Sequence, residues 1–307
     1  ANGANLPALL ASASYLDNTQ RKEWGIVVKD LYLDGNRAHN SAPTDGIVLR
    51  AWLSTIEDTY ITDMGGTGIY LTDRSADGTG LGTTMVGGQL VRDYVENSGN
   101  YGIYANDGGR NALTDWSLLD SYVGGAGKDT VHIDDGAGWT VRGNHTWGAA
   151  GNGLSFDRMA NTSITDNYVE DFGRASTPGS YYGVRGVLRS GAPNTIIGNR
   201  VNLLSGYKAG STYRYIGIES VVARGAGQVG VAGNAVSGAG PSQGVGLYYR
   251  KGSGRSLTVT STGNSVIAVA NARSVGAGVT LAPPARRIAR RSDDDSHPAL
   301  PLHHRRP

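Results

Sequence analysis

His132, Asp134, Asp157, Arg185 and Glu219 are residue types that donate, accept or steady charge, and they sit in short apolar–polar alternating segments through the middle of the chain. Asp134 and Asp157 form the candidate catalytic pair, with Glu219 in reserve. Two carboxyl groups about 5–5.5 Å apart suit glycosidic cleavage with retention, and about 6.5–9.5 Å suit inversion. Crowded like charges raise one of the two pKa values, as a proton-donating carboxyl requires. Elimination beside a uronate carboxylate would instead need a base and a cation, roles open to His132 and Arg185. A Ca²⁺ held by Asp134, Asp135 and Asp157 through hard oxygen ligands could replace that cation; otherwise no cofactor is expected. Tyr70, Tyr104, Asn106, Tyr248 and Arg250 are the candidate substrate-binding residues, tyrosine offering a flat apolar face with a polar tip.

These side chains can act together only if their segments stack. Each segment is a short strand, usually opened by glycine: Gly46-Ile47-Val48-Leu49, Gly68-Ile69-Tyr70-Leu71, Gly102-Ile103-Tyr104-Ala105 and so on to Gly246-Leu247-Tyr248. The second residue after each opening position gives the column Val48, Tyr70, Tyr104, His132, Ser155, Arg185, Glu219, Tyr248. Two residues on lies a second column: Arg50, Thr72, Asn106, Asp134, Asp157, Val187, Val221, Arg250. Alternation along a strand points both columns outward, while Ile69, Leu71, Ile133 and Phe156 point in. Stacked strands lie about 4.8 Å apart, so each column would be a ladder of close neighbours.

A repeat supports the stacking. Ile164-Thr165-Asp166-Asn167-Tyr168-Val169 returns as Ile56 to Ile61, Val141 to Thr146, Ile196 to Val201 and Val231 to Val236, with weaker copies at Leu31 to Leu33, Leu90 to Val95, Leu113 to Leu118 and Gly263 to Val266. Its fourth position falls at Thr59, Asp93, Trp116, Asn144, Asn167, Asn199, Asn234 and Asn264, at intervals of 23 (93 to 116) to 35 (199 to 234) residues. Such a period marks a solenoid or array. Two or three strands per period, separated by Gly, Asn and Asp and without helical spacing, describe one coil of a parallel β-helix. The asparagine suits a left-handed turn position and can ladder with its counterpart in the next coil. The acids at Asp58, Asp93 and Asp166 then belong to the turn. A second outward stripe, Tyr32, Tyr60, Tyr94, His145, Tyr168 and Arg200, reads as either a competing binding face or a trimer seam.

The pattern I-x-D-N-Y-V followed by G-I-x-L resembles the right-handed parallel β-helix, or pectate-lyase-like, superfamily. That resemblance implies an all-β, single-stranded right-handed solenoid of about nine coils. It also implies an extracellular protein that handles a polysaccharide or oligosaccharide, as lyase, hydrolase, epimerase, fructotransferase, or non-catalytic tailspike or adhesin, and often as a homotrimer. His132 to Asp135 is similar to the Asp-Asp motif of polygalacturonases, whose Gly-His-Gly and Arg-Ile-Lys motifs are missing here; the Asp-Pro-His-Arg motif of alginate epimerases is missing too. Gly102 to Asp107 is similar to a segment of inulin fructotransferases.

Composition bounds the rest. The 307 residues include 47 Gly and 16 Tyr but only 2 Phe and 3 Met, so the core is thin and aliphatic and the surface aromatic. A net charge of +2 argues for no nucleic-acid partner, no apolar run has membrane-spanning length, and the absence of Cys excludes disulfides and thiolate sites. Residues 1–23 read as a lead-in or partial cap of what could be a fragment, residues 24–281 as the β-helix, and residues 282–307 as a disordered basic, proline-rich tail.

Overall fold

The computed structural model describes residues 3–18 and 23–283; most of the expected tail lies outside the described residues. Among these residues the chain forms two ten-stranded sheets and one nine-stranded sheet, with a minor two-stranded one. Within each large sheet the strands follow chain order and every pair is parallel, so each circuit adds one strand to every face. The first sheet holds the strands expected to carry chemistry, including Ile103–Asn106, Val131–Ile133, Leu154–Met159, Ser180–Leu188, Thr212–Ser220 and Val245–Lys251. The stack takes in part of the lead-in: Ala8–Ala11 pairs with Asp45–Leu49, and a helical turn follows at Ala13–Leu16.

Alternation builds the interior. Val131 and Ile133, Ile103 and Ala105, and Ile69 and Leu71 are buried in one apolar column system, which leaves His132, Tyr104 and Tyr70 outside. The few large rings are used as fillers: Trp116 and Trp139 stack at 6.2 Å, and their indole N–H groups donate to Met85 O and Leu113 O at 3.0 Å each.

The asparagine ladder is present and longer than the asparagines alone. Nδ2 of Asn144 donates to Oδ1 of Asn167 at 2.9 Å, Asn167 to Asn199 at 2.9 Å, Asn199 to Asn234 at 3.0 Å and Asn234 to Asn264 at 2.8 Å. The same oxygens accept the backbone N–H of the preceding ladder residue, and the other Nδ2 hydrogen goes to a carbonyl such as Leu118 O or Val141 O. Ser121, Asp93 and Thr59 continue the column toward the N-terminus. The weak copy therefore runs from Leu118 to Val123, with Ser121 in fourth position, and not from Leu113 to Leu118: Trp116 pairs with Gly88 within the second sheet. Nor is the asparagine itself the left-handed residue. Its predecessor is, in coil after coil: Asp58, Arg92, Asp120, Gly143, Asp166, Gly198, Gly233 and Gly263 all have φ between 49° and 72°. Aspartate and glycine recur there because they tolerate that region.

Asn167→Ala would strand buried donors and acceptors on both neighbouring coils, at about 1–3 kcal/mol for each group left unpaired. The expected result is a large fall in the denaturant midpoint. Asp93 behaves oppositely. Its Oδ2 is buried without a hydrogen-bond partner among the described residues, and burial pushes its pKa up to about 6 despite hydrogen bonds from Thr59. A raised acid favours the native state below its unfolded pKa, and that advantage is lost as pH rises through about 6. Asp93→Asn should therefore stabilise the protein at pH 8 and flatten the slope of midpoint against pH between about 4 and 7; an unchanged slope would contradict this.

Candidate functional site

Four consecutive coils of the first sheet bring together most of the expected residues. Register pairs Tyr70 with Tyr104, Tyr104 with His132, His132 with Ser155 and Ser155 with Arg185, so these form one column. His132 Nε2 lies 3.0 Å from Asp134 Oδ1, and the Tyr104 hydroxyl donates to Asp134 Oδ2 at 2.9 Å. Asn106 Nδ2 donates to that hydroxyl. One coil on, Arg185 Nη1 donates to Asp157 Oδ1 at 2.7 Å and to Ser155 Oγ at 3.3 Å. A ring nitrogen of His132 and one oxygen each of Asp134 and Asp157 all lie within 4.8 Å of one another. The expected carboxylate pair is thus close, at the shorter of the two spacings considered.

Glu219 is not in this group. It pairs with Val187 and Arg250 in register, and Arg250 Nη2 donates to its carboxylate at 2.7 Å. The position expected for Glu219, between Arg185 and Tyr248, is held by Gly217. The expected alignment slips by two residues there, which preserves the face and so leaves the alternation intact. Gly217 is not a strand opener: a Cβ there would overlap the Tyr182 ring lying across it. Tyr248 remains in the first column and Arg250 in the second, beyond the cluster. At the other end Val48 and Arg50 are not exposed as expected. Both are fully buried, Arg50 donating to Ser14 O and Asp73 O beneath the lead-in.

Sequence alternation missed a third row, the residue just before each strand opener. Backbone hydrogen bonds link Thr67, Tyr101, Asp129, Asn152 and Tyr182 coil to coil, and Tyr182 pairs with Arg214. Asp129 Oδ2 lies 2.7 Å from His132 Nδ1 and accepts the Asn152 side-chain amide at 3.2 Å, while Asp129 Oδ1 accepts the Asn152 backbone N–H at 2.6 Å. Tyr101 stacks on Tyr104 at 4.4 Å, with Lys128 Nζ 5.0 Å from its centroid. These residues sit at a bend, three positions before the outward column, where a period of two carries no signal.

Burial alone would lower the His132 pKa, but hydrogen bonds and charge from Asp129 and Asp134 overcome it and push it up to about 9. The ring is an imidazolium at neutral pH, donating at both nitrogens. The Tyr104 phenol is pushed well above its usual range by burial and by the Asp134 charge, so it stays protonated. Tyr101 rises to about 12 through burial and the negative field of Asp129, Asp134 and Asp157. Tyr104 is flanked by Tyr70 at 5.4 Å and Tyr101 at 4.4 Å, leaving little ring face for a sugar. Its place is in the proton network.

The Ca²⁺ expectation does not fit this donor set. Asp135 follows Asp134 but turns to the opposite side, buried against Arg158 at 2.8 Å. Both Asp134 oxygens accept protein donors, and Asp157 is committed to Arg185. The likeness of His132 to Asp135 to a polygalacturonase acid pair fails for the same reason.

With this geometry in place, comparison with known proteins settles the family: the profile described as "Right handed beta helix region" matches residues 34–281. The chain belongs to the right-handed β-helix family. No curated protein matches its sequence. Among solved structures this β-helix is similar to the A-module of the Azotobacter vinelandii mannuronan C-5 epimerase AlgE4, with TM-score 0.57 and 13% identity over 92% of this chain and 79% of that one. The AlgE6 A-module of the same organism gives 0.44 at 13% identity, over 86% and 78%. The Dettilon tailspike protein gp208 gives 0.36 at 11% identity, over 84% and 60%.

The second stripe of this β-helix is one continuous stack on the third sheet, and it includes Tyr122. Tyr32, Tyr60, Tyr94 and Tyr122 lie 5.1, 4.9 and 5.8 Å apart with interplanar angles under 20°. His145 sits edge-on to Tyr122 and stacks on Tyr168 at 4.6 Å, and Arg200 caps Tyr168 at 4.7 Å. Its ring faces are spent on one another.

His132 should titrate near pH 9, observable in its ring-proton NMR shifts. Asp129→Asn should bring that pKa down while leaving the fold unchanged, and a value below 7 in the unsubstituted protein would contradict the arrangement.

Proposed function

We propose that this protein is a carbohydrate-active enzyme that cleaves glycosidic bonds in a polysaccharide outside the cell. The supporting observation is how the two central acids are bonded. Asp134 accepts at both oxygens, from His132 and Tyr104, so neither oxygen is left to carry a donor proton. Asp157 is bound by Arg185, which steadies its negative charge. The proton for the departing glycosidic oxygen then comes from Tyr104, whose hydroxyl turns from Asp134 to the substrate, and the phenolate is reloaded at once because Asp134 passes it the Nε2 proton of the His132 imidazolium, leaving a neutral imidazole that solvent reprotonates. Asp157 stands as base or nucleophile one coil from Asp134 and two from Tyr104.

Hydrolysis and elimination share this donor and differ in what Asp157 attacks. In hydrolysis it attacks the anomeric carbon or activates water. In elimination it takes the C–H proton beside a uronate carboxylate, with Arg185 turned toward that carboxylate. Incubation with plant, algal and fructan polymers separates the two: new reducing ends alone mean hydrolysis, and unsaturated products absorbing in the ultraviolet mean elimination. Tyr104→Phe and Asp157→Asn should each lower turnover by about 10²–10⁴, the usual worth of a positioned acid or base, without shifting the unfolding midpoint appreciably. Full activity in both variants would mean that the catalytic groups lie elsewhere, whereas polymers that bind and emerge unchanged would leave a glycan-binding module without catalysis.

A further inference from the structure

Two coils past Asp157 on the same face, Arg214 sits in an unusual setting for a surface cation. Its guanidinium lies 5.2 Å from the centroid of Tyr182 and 4.5 Å from that of Tyr248. No carboxylate lies within ion-pairing distance of it among the described residues, whereas Arg185 and Arg250 on either side are each paired. Its Nη1 donates to the Thr212 hydroxyl at 3.4 Å. Two aromatic contacts hold the guanidinium, a group that binds planar or tetrahedral oxyanions by two hydrogen bonds.

Arg214 lines a cleft of about 280 Å³ together with Thr212, Gln243 and Asn271 among others. Oε1 of Gln243 is buried in its wall and has no partner among the described residues. That oxygen is enclosed and not offered to the cleft, so the group there without a compensating charge is Arg214, and an acidic substituent supplies the charge it lacks.

We propose that this cleft is a binding subsite for a sugar unit bearing an anionic substituent, a carboxylate or a sulfate ester. Arg214 takes the anion. The inference rests on the reading that this face carries a glycan, and it adds that the glycan is acidic and lies along the coils toward the C-terminal end. Gly217 is part of the arrangement, since its missing side chain lets the Tyr182 ring lie down and reach Arg214.

The test uses the full chain carrying Asp157→Asn, so that polymers persist, and measures binding by isothermal titration calorimetry. Three probes are compared: polygalacturonate, its fully methyl-esterified form, and a sulfated galactan. Polygalacturonate or the sulfated galactan should bind about tenfold or more tightly than the neutral ester, as a charge-assisted hydrogen bond implies, and the preferred one identifies the substituent. Arg214→Gln should erase that preference by weakening binding of the charged polymers much more than binding of the ester, and Arg214→Lys should keep part of it. The lysine variant carries the test if the glutamine variant does not fold. No preference for either charged polymer, or a preference that survives Arg214→Gln, overturns the subsite. Failure here is separable from failure of the catalytic reading. Charge-dependent binding through Arg214 with no product from any polymer ends the catalysis but keeps the subsite, and product formation indifferent to Arg214 does the reverse.

Discussion

The whole molecule depends on one buried hydrogen-bond column, from Thr59 through Asp93 and Ser121 to Asn264. A solenoid coil contacts only its neighbours, so nothing but local register keeps distant coils aligned. An amide that donates to the next coil's amide and accepts from the previous coil's backbone fixes register at one corner of every turn. The apolar interior could tolerate a slip of two residues, because such a slip preserves which side chains face in. The ladder cannot, since it would leave buried polar groups unpaired at every step. Chemistry on the first sheet inherits its alignment from this corner on the opposite side of the coil.

Alignment alone would pile like charges on one another, and the first face shows how that is avoided. Asp129, Asp134 and Asp157 are interleaved with His132 and Arg185, so every acid in the cluster has a cationic or phenolic donor. Asp73 and Asp135, one residue past the second column, are buried and take Arg110 and Arg158 instead. Neutralisation in pairs makes the face stable and also assigns its roles. A carboxylate already accepting at both oxygens gives up the donor function to its neighbours, and a cation without a counter-ion keeps its charge for something else.

Much of this was legible in the chain itself. The recurrence of I-x-D-N-Y-V fixed the parallel β-helix and the amide ladder, and alternation after the leading glycines placed Tyr104, His132, Asp134, Asp157 and Arg185 on one face. It failed wherever glycine or aspartate had a second reason to be present. Gly217 looked like a strand opener but clears space for an aromatic ring, so Glu219 was assigned to the wrong rung. Val48 and Arg50 follow the outward pattern yet are covered by the lead-in, a tertiary contact that no local pattern encodes. Tyr101 and Asp129 lie at a bend, where neither the period of strands nor that of helices applies, and they become neighbours of Arg214 in the strand Thr212–Ser220 along one row only once the coils are stacked.

The tyrosine stack on the third sheet stands directly beside the amide ladder: Thr59, Asp93, Ser121 and Asn167 each precede one of its rings. Near-parallel phenols at separations of 4.9 to 5.8 Å are close enough for their electronic transitions to couple. The protein therefore carries an intrinsic chromophore array whose near-ultraviolet dichroism reports the pitch of the solenoid. Loosening between any two of these coils would change that spectrum before the backbone signal altered.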